Sequence, residues 1–305
     1  MVLAADPDPE ALSRVAAQAG QGPEPILTKR LTRQSLLTAA PDAVIISSPS
    51  GLHFEHGFLA LSCGFPTFVE KPLACTATEA RKLERVAKHR LFASDQRVYR
   101  EDLRRVRSFI RSGHLGEILE INYHDSIVPR PRFASTWRND PRLAGGGVLL
   151  DLGYHTAGAM HWLLDPPSGN FDVTAANLRC DTLRVEKQAD ISCVAGDIEA
   201  RLDIRLVDRH PREVLQVRGS LGQVSIVRER RKPSLARISV QPSRGEPRTY
   251  PVPLDEASDS QSLRDFLHGV SGVSQLRRHI RTLEFLEHAY GRAAAEASEL
   301  RDAVD

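Results

Sequence analysis

A chain of 305 residues, of which 41% are hydrophobic and 26% charged, is long enough to bury a sizeable core and to divide into two domains. Its 41 basic and 39 acidic residues leave a formal charge of +2, which argues against nucleic acid or an anionic membrane as the partner. The four cysteines lack C-x-x-C spacing, residues 1–7 lack the basic start of a signal peptide, and no stretch is apolar over a membrane thickness. We therefore expect a cytoplasmic protein with reduced thiols.

The first part of the chain alternates short apolar strands with helices. We expect strands at residues 2–5, 26–27, 42–47, 65–69 and 91–94, and helices at 10–19, 32–39, 53–63 and 76–89. Strands and helices that alternate at this spacing imply a buried parallel sheet. The sequence therefore predicts an α/β, Rossmann-type domain over residues 1–98.

The pattern changes after residue 98. The expected elements are a helix at 100–112, a strand at 117–128, a helix at about 147–164, a run of strands at 171–250, and helices at 258–270 and 275 to about 300. Residues 218–222 form a turn between two of the strands, and the basic clusters 228–232 and 277–279 are interpreted as solvated faces. This order predicts an α+β domain over residues 99–305, built on an open, mostly antiparallel sheet. One face of that sheet is expected to pack on another subunit in a homo-oligomer.

Two short motifs place reactive side chains at the ends of predicted elements. An E-K-P motif at residues 70–72 closes an apolar strand, and three glycines at 145–147 precede the motif D-L-G-Y-H at 151–155. A lysine, an aspartate and a histidine in such settings can move a proton while a cofactor moves a hydride. Each motif alone also fits a structural role: a surface tripeptide, a flexible glycine turn, or a histidine in the core.

In combination, these motifs resemble the glucose-fructose oxidoreductase / inositol dehydrogenase (Gfo/Idh/MocA) family of sugar and cyclitol dehydrogenases. The resemblance extends over nearly the whole chain, and its motifs are Asp42 to Ser50 with His53, Phe68 to Pro72, Trp137-Arg138 before the glycines, and Asp151 to His155. It implies NAD or NADP as the cofactor and a small-molecule sugar, amino sugar or cyclitol as the substrate.

The resemblance implies a role for each motif residue. In the family, the lysine of the E-K-P motif orients the substrate hydroxyl, and the aspartate and histidine of the second motif complete the site. We therefore expect Lys71, Asp151 and His155 to be catalytic. Alcohol oxidation needs a base with a pKa near neutrality, which suits His155. Lys71 would stabilise the developing alkoxide, and Asp151 would help to orient the pair.

Cofactor contacts are expected where the strands of an open α/β sheet end. The resemblance implies that the nicotinamide half of the cofactor lies against the loop after the third strand and the E-K-P motif, and that Asp6 binds the adenosine ribose. The expected cofactor-binding residues are Asp6, Ser48, Pro49, Ser50, His53, Glu70 and Lys71. Asp6 is equally suited to cap the helix that follows it.

The resemblance implies that Trp137 and Arg138, with Arg97, Tyr99 and Arg100, line the substrate pocket, although aromatic and basic residues there could also cover the seam between domains. His53 and His56 are three residues apart, but no cysteine or carboxylate cluster completes a metal site, so no metal is expected.

The sequence departs from the family in its glycines. The phosphate-binding motif G-x-G-x-x-G is expected about 20 residues before the ribose carboxylate, yet Asp6 is the sixth residue. Without the first, central strand, a gap of about 9.5 Å would separate the strands at 2–5 and 42–47. Either the strands slide together, another chain supplies one, or the natural protein begins upstream. A further departure is Gly158, where the family commonly has an aspartate.

The leading hypothesis is therefore an NAD(P)-dependent oxidoreductase that acts on a hydroxyl or keto group of a sugar, amino sugar or cyclitol, with a truncated Rossmann domain. The alternative is a non-catalytic or cofactor-independent relative that binds a sugar or a partner subunit, because the phosphate loop is absent from the sequence. A lyase-like use of the Lys71 and His155 pair is a third interpretation. An intact phosphate loop would distinguish the first two.

Overall fold

The computed structural model describes residues 3–18, 25–129, 131–166, 169–207, 209–230, 235–253, 258–269 and 273–302. In the N-terminal part, parallel strands alternate with helices, as the sequence predicts. The elements are β1 (Leu3–Ala5), α1 (Pro9–Gln18), β2 (Ile26–Thr28), α2 (Arg33–Ala39), β3 (Val44–Ile46), α3 (His53–Ser62), β4 (Thr67–Val69), α4 (Ala77–Ala87) and β5 (Leu91–Ala93). None of the described helices is both long and apolar enough to cross a membrane.

Side-chain caps set where the helices of this part begin. The Thr32 hydroxyl accepts a hydrogen bond from the Ser35 backbone N–H at 3.0 Å, and the Ser35 hydroxyl oxygen accepts one from the Thr32 N–H, which forms a reciprocal capping box before α2. The Thr76 hydroxyl caps α4 by a single hydrogen bond, which it accepts from the Glu79 backbone N–H at 3.2 Å. These local signals start the helices close to the predicted positions.

The parallel strands form two separate sheets. β1 pairs with β2, and β3 pairs with β4 and β4 with β5, but within the described residues no hydrogen bond joins β1 to β3. In a complete Rossmann sheet, with strand order 3-2-1-4-5-6, the first strand is central and would lie between the strands called β1 and β3 here. The strands have therefore not slid together to close the gap, which was the first of the three alternatives.

The prediction that the third strand is buried is wrong for its middle residue. Ile45 is 51% exposed, whereas its register partner Phe68 and the next residue in the row, Phe92, are buried. Phe266 packs on the rings of Phe68 and Phe92 at centroid distances of 5.7 and 6.1 Å. Phe266 thus covers this face of β4 and β5 but does not reach β3. Ile45 lies on β3, at the unpaired edge of the sheet.

The C-terminal part is built on a sheet of eight strands. Its elements are α5 (Glu101–Arg111), β6 (Ile118–Ile127), α6 (Pro141–Ala144), α7 (Tyr154–Leu164), β7 (Asp172–Arg179), β8 (Gln188–Ala195), β9 (Ile198–Leu206), β10 (Arg212–Gly219), β11 (Gly222–Glu229), β12 (Leu235–Pro242), β13 (Arg248–Pro253), α8 (Ser258–Leu267) and α9 (Val273–Asp302). The strand order is β13-β12-β11-β10-β6-β9-β8-β7, and every pair is antiparallel except β6 with β9. The predicted open, mostly antiparallel sheet is confirmed.

One face of this sheet forms the core and the other stays open. Along β8, every second residue from Ala189 to Ala195 is buried, on the face that α7 and α9 cover. The opposite face carries polar pairs such as Glu120 with Arg218. The expected packing of that open face on a second subunit stays a prediction.

The helix predicted at 147–164 is divided in two. Residues Leu149–Gly153 form a wide π-helical turn, and α7 follows without a break. The turn is held at its start by Glu186, whose Oε1 accepts hydrogen bonds from the backbone N–H groups of Gly147 and Leu149 at 2.8 and 3.1 Å. Single π-turns within helices are rare and are frequent at functional sites.

Candidate active site

A cavity of about 520 Å³ lies where β4 ends and the π-helical turn begins. Lys71, Asp151 and His155 all line it, although 80 residues separate the lysine from the aspartate. The structure therefore brings together the three residues that the motifs single out.

Lys71 is fixed by two hydrogen bonds to Asp151. Its Nζ donates to the Asp151 backbone oxygen at 3.0 Å and to Oδ1 at 2.5 Å. The other carboxylate oxygen of Asp151 lies 3.7 Å from Arg138 Nε, so the aspartate is placed between two cations. Since an ammonium group has three donors, Lys71 keeps one N–H beyond the two that Asp151 accepts.

His155 lies one helical turn after Asp151, on the side that borders the cavity. In the part of the chain that the structure describes, its ring makes no hydrogen bond. Burial lowers the pKa of His155 well below 6.5, and the positive charges of Lys71 and Arg97 lower it further. The imidazole is therefore neutral near pH 7 and has a free nitrogen lone pair.

The three glycines do not form a flexible turn. A Cβ on Gly147 would lie 2.2 Å from the Glu186 backbone oxygen, and one on Gly146 would lie 2.4 Å from the Tyr290 hydroxyl. Gly145 adopts a φ of +76°, which favours glycine. Only glycines fit between these groups, so the segment holds the π-helical turn in place.

His53 joins the loop after β3 to the loop after β4. Its Nδ1 lies 2.6 Å from the Pro72 backbone oxygen and its Nε2 lies 2.8 Å from that of Ser48. The side chain is 2% exposed, and burial lowers its pKa. His53 thereby fixes the loop after β3 against the loop after β4. The expected contact of His53 with the cofactor stays a prediction.

The loop after β3 reaches the site at its last residue. Ser50 lines a narrow cavity of about 20 Å³ together with Trp137, Arg138 and Asp151. Ser48 is turned back toward α3, where its hydroxyl lies 3.0 Å from His56 Nδ1. Among the residues with described positions, no group of three His, Cys, Asp or Glu side chains is arranged to hold a metal ion.

The other predicted cofactor residues lie at strand ends. The Pro49 backbone oxygen accepts a hydrogen bond from Leu52 N–H at 2.8 Å, and Glu70 Oε2 accepts one from Lys71 N–H at 3.3 Å. Asp6 Oδ1 accepts from Asp8 N–H at 2.8 Å just before α1. Asp6 therefore organises the start of α1, which is the structural role that the sequence left open beside ribose binding.

The predicted substrate residues separate into two groups. Trp137 and Arg138 line the cavities, and the Arg138 guanidinium lies 4.2 Å from the Trp137 ring centroid. Tyr99 lies outside both cavities and donates a hydrogen bond to Asp265 of α8 at 2.6 Å. This contact agrees with the seam-covering role that the sequence left open, and the assignment of Tyr99 to the substrate pocket stays a prediction. Gly158 also lies elsewhere, facing Thr282 of α9.

Two arginines that the sequence analysis missed complete the cavity. Arg228 and Arg230 line it together with Arg97 and Arg100, which were expected in the substrate pocket. The interpretation of residues 228–232 as a solvated face is wrong for Arg228 and Arg230, whose side chains are 20% and 22% exposed. Their spacing of two residues at a strand end is a signal for a shared face. The choice of face depends on the register with β10.

In the second basic cluster, residues 277–279, only Arg277 is exposed, and the interpretation as a solvated face is wrong for Arg278 and His279. Arg278 forms a salt bridge with Asp95, and His279 Nδ1 lies 2.7 Å from the Tyr154 hydroxyl. Both side chains hold α9 against the site.

An α/β part with parallel sheets is joined to a large, mostly antiparallel sheet, and a lysine and a histidine lie at one cavity. The model for the oxidoreductase family with an NAD-binding Rossmann fold matches residues 2–91, and the model for the GFO/IDH/MocA C-terminal domain matches residues 103–225. The chain belongs to the Gfo/Idh/MocA family, whose cofactor is NAD or NADP.

Individual relatives resemble parts of the chain. The rhizopine catabolism protein MocA of Rhizobium meliloti is 32% identical over 57% of this chain and 53% of its own length. The inositol 2-dehydrogenase of Pseudomonas savastanoi pv. phaseolicola is 32% identical over 56% of this chain and 50% of its own length. The chain thus matches about half the length of each.

The fold resembles solved structures over almost the whole chain. KijD10, a 3-ketoreductase from Actinomadura kijaniata solved with NADP and TDP-benzene, has a TM-score of 0.80. The match covers 96% of this chain and 89% of that one at 21% identity. At this identity, the similarity concerns the fold.

Proposed function

We propose that the protein is an NAD(P)-dependent oxidoreductase that interconverts a hydroxyl and a keto group on a sugar, amino sugar or cyclitol. The observation that carries the proposal is the placement of Lys71, Asp151 and a neutral His155 around one cavity. Family membership and the oxidoreductases among its relatives support the reaction class. No finding favours the non-catalytic alternative.

His155 is proposed as the base for the hydroxyl proton. Its lowered pKa leaves the imidazole neutral near pH 7, and its ring has no competing hydrogen bond among the described residues. A neutral nitrogen that borders the cavity can therefore accept the proton directly. In the reverse direction the same nitrogen would return it.

Lys71 is proposed to hold the reacting oxygen. Two of its N–H groups are used by Asp151, which fixes the direction of the third. An ammonium donor directed at the substrate oxygen stabilises the negative charge that develops there when the proton leaves. Asp151 is a positioning residue in this scheme, because it acts through Lys71.

The residues present fit one end of the dinucleotide. Ser50, Glu70 and Lys71 lie at the ends of β3 and β4 beside the cavity, where the nicotinamide ring would accept or donate the hydride. Asp6 lies at the end of β1, where it would meet the adenosine ribose. Within the described residues, no hydrogen bond joins β1 to β3, and the given sequence has no G-x-G-x-x-G motif to hold the phosphate half.

The test is turnover of a panel of sugars and cyclitols at millimolar NAD⁺ or NADP⁺, followed by absorbance of the reduced nicotinamide. We expect His155→Ala and Lys71→Ala each to lower kcat by about 10²-fold or more, with little change in dinucleotide affinity. His288→Ala is the matched control, because His288 is an exposed histidine on α9. Turnover near that of the wild type in either site variant would contradict the assigned roles.

A further inference from the structure

The part of the cavity wall formed by Arg97, Arg100, Arg228 and Arg230 is here called the arginine wall. Arg97 and Arg100 belong to the turn between β5 and α5, and Arg228 and Arg230 lie at the end of β11. All four line the same cavity as Lys71 and His155. A neutral sugar would not need four cations around it, so it matters which charges surround these arginines.

Buried carboxylates neutralise three of the four arginines. Asp102, Asp125 and Glu213 are all 0% exposed. Arg97 forms salt bridges with Asp125 and Glu213. Arg100 donates to both Glu213 oxygens at 2.8 and 2.9 Å and also pairs with Asp102, and Arg230 Nη2 lies 2.5 Å from Asp125 Oδ1.

Arg228 is the one arginine of the wall that forms no hydrogen bond with these three carboxylates among the described residues. It lies opposite Glu213 in the β10–β11 register, yet its Nη1 is 3.7 Å from Glu213 Oε2, beyond hydrogen-bond distance. Its Nε is buried without a hydrogen-bond partner among the described residues. Burial lowers the pKa of Arg228, and the nearby charge of Arg100 lowers it further. Four guanidinium groups against three carboxylates leave one positive charge in excess.

Arg228 lines the cavity and its side chain is 20% exposed, so an anion in the cavity could accept hydrogen bonds from its exposed N–H groups, although not from the buried Nε. A guanidinium presents a planar fork that matches a carboxylate or phosphate with two parallel hydrogen bonds. The protein has already bound and oriented the neighbouring arginines, so an incoming anion would meet a preorganised site. A cavity of about 520 Å³ is within the range of small-molecule sites and can hold a monosaccharide with such a substituent.

We propose that Arg228, with Arg230 beside it, binds an anionic substituent of the substrate, a carboxylate or a phosphate on the sugar. The substrate class of the site is then a sugar acid or a sugar phosphate. This inference rests on the proposed function, because it assumes that the sugar bound in the cavity is the substrate. Binding of an anion at Arg228 can be tested without turnover.

The experiment is calorimetric titration of the full chain at low salt with three matched probes: D-glucose, D-glucuronate and D-glucose 6-phosphate. We expect at least one charged probe to bind roughly tenfold or more tightly than glucose. Preference for glucuronate identifies a carboxylate, and preference for the phosphate identifies a phosphoryl group. Equal affinity for all three probes would overturn the proposal.

Two variants and one control locate the effect. Arg228→Gln should remove the preference for the charged probe, and Arg228→Lys should restore part of it, because lysine keeps the charge without the planar fork. The control is Arg237→Gln, which removes the same charge from an exposed position on β12. A preference that survives in Arg228→Gln would also overturn the proposal.

Turnover separates this inference from the proposed function. If the charged probe binds selectively but no sugar is oxidised with either dinucleotide, the reaction is refuted and the anion site stands. If neutral sugars are oxidised and no probe is preferred, the anion site is refuted and the reaction stands.

Discussion

Glu213→Gln is the substitution that tests the electrostatic core most directly. The Glu213 carboxylate is 0% exposed and accepts hydrogen bonds from Arg97, from Arg100 at 2.8 and 2.9 Å, and from the Tyr123 hydroxyl at 2.6 Å. Glutamine keeps the shape but removes the charge and turns an N–H₂ group toward guanidinium donors. Four arginines would then face two buried carboxylates, Asp102 and Asp125.

Removal of one partner from a buried ion pair costs about 3–5 kcal/mol, because the other charge stays buried without compensation. We therefore expect Glu213→Gln to lower the free energy of unfolding in urea by roughly this amount. The matched control is Glu120→Gln, which breaks the exposed pair with Arg218 on the open face and should cost about 0–1 kcal/mol. A loss below about 1 kcal/mol in Glu213→Gln would refute the reasoning.

The pH dependence of this effect follows from the same contacts. Burial alone would raise the pKa of Glu213, but the guanidinium groups of Arg100 and Arg97 hold it well below 4.5. A carboxyl whose pKa is lower in the folded state contributes stability above the unfolded pKa of about 4.3 and loses it as pH falls toward the folded value. The difference between wild type and Glu213→Gln should therefore be constant from about pH 8 to pH 5 and shrink below about pH 4.

Three further outcomes are expected. Since the pKa of His155 is well below 6.5, kcat/KM for oxidation should not fall on an acidic limb until the pH is below 6.5, and a limb above that value would contradict a base of this kind. Because β1 and β3 are not joined and no glycine-rich turn is described beside them, titration of the 305-residue polypeptide with NADH should give a dissociation constant weaker than micromolar. Micromolar binding, about −8 kcal/mol, would show that another element holds the phosphates. Light scattering should find a homo-oligomer formed through the open face of the eight-stranded sheet, and a monomer at working concentration would count against it.

The element order was accessible to sequence reasoning because each element carries a local signal. Alternating apolar strands and helices in the first part, and the turn at residues 218–222 between β10 and β11, needed only periodicity and turn residues. The pairing of Lys71 with Asp151 was accessible only through motifs that occur together, since no periodicity links residues 80 apart.

What sequence reasoning missed depends on contacts between distant residues. Arg228 and Arg230 form part of a run of charges, and only the register that places Arg228 opposite Glu213 directs them into the cavity. Tyr99 meets Asp265 from a position 166 residues away. The apolar sequence of β3 predicts that Ile45 is buried. Ile45 is exposed because β3 pairs only with β4 in the described structure, and the sequence of a strand does not show on which side it is paired.

The helix α9 connects the two parts of the chain beside the cavity. It joins α4 through Glu284 and Glu287, the end of β5 through Arg278, and α7 through the contact of His279 with Tyr154. A hinge rotation of the parallel-sheet part away from the large sheet would have to break the contacts of α9 with α4 and with the end of β5. The contact of His279 with Tyr154 would be kept, because α7 and α9 both belong to the C-terminal part. The same ion pairs that attach α9 to the parallel strands therefore also hold the strand end that carries Lys71 close to the helix that carries His155.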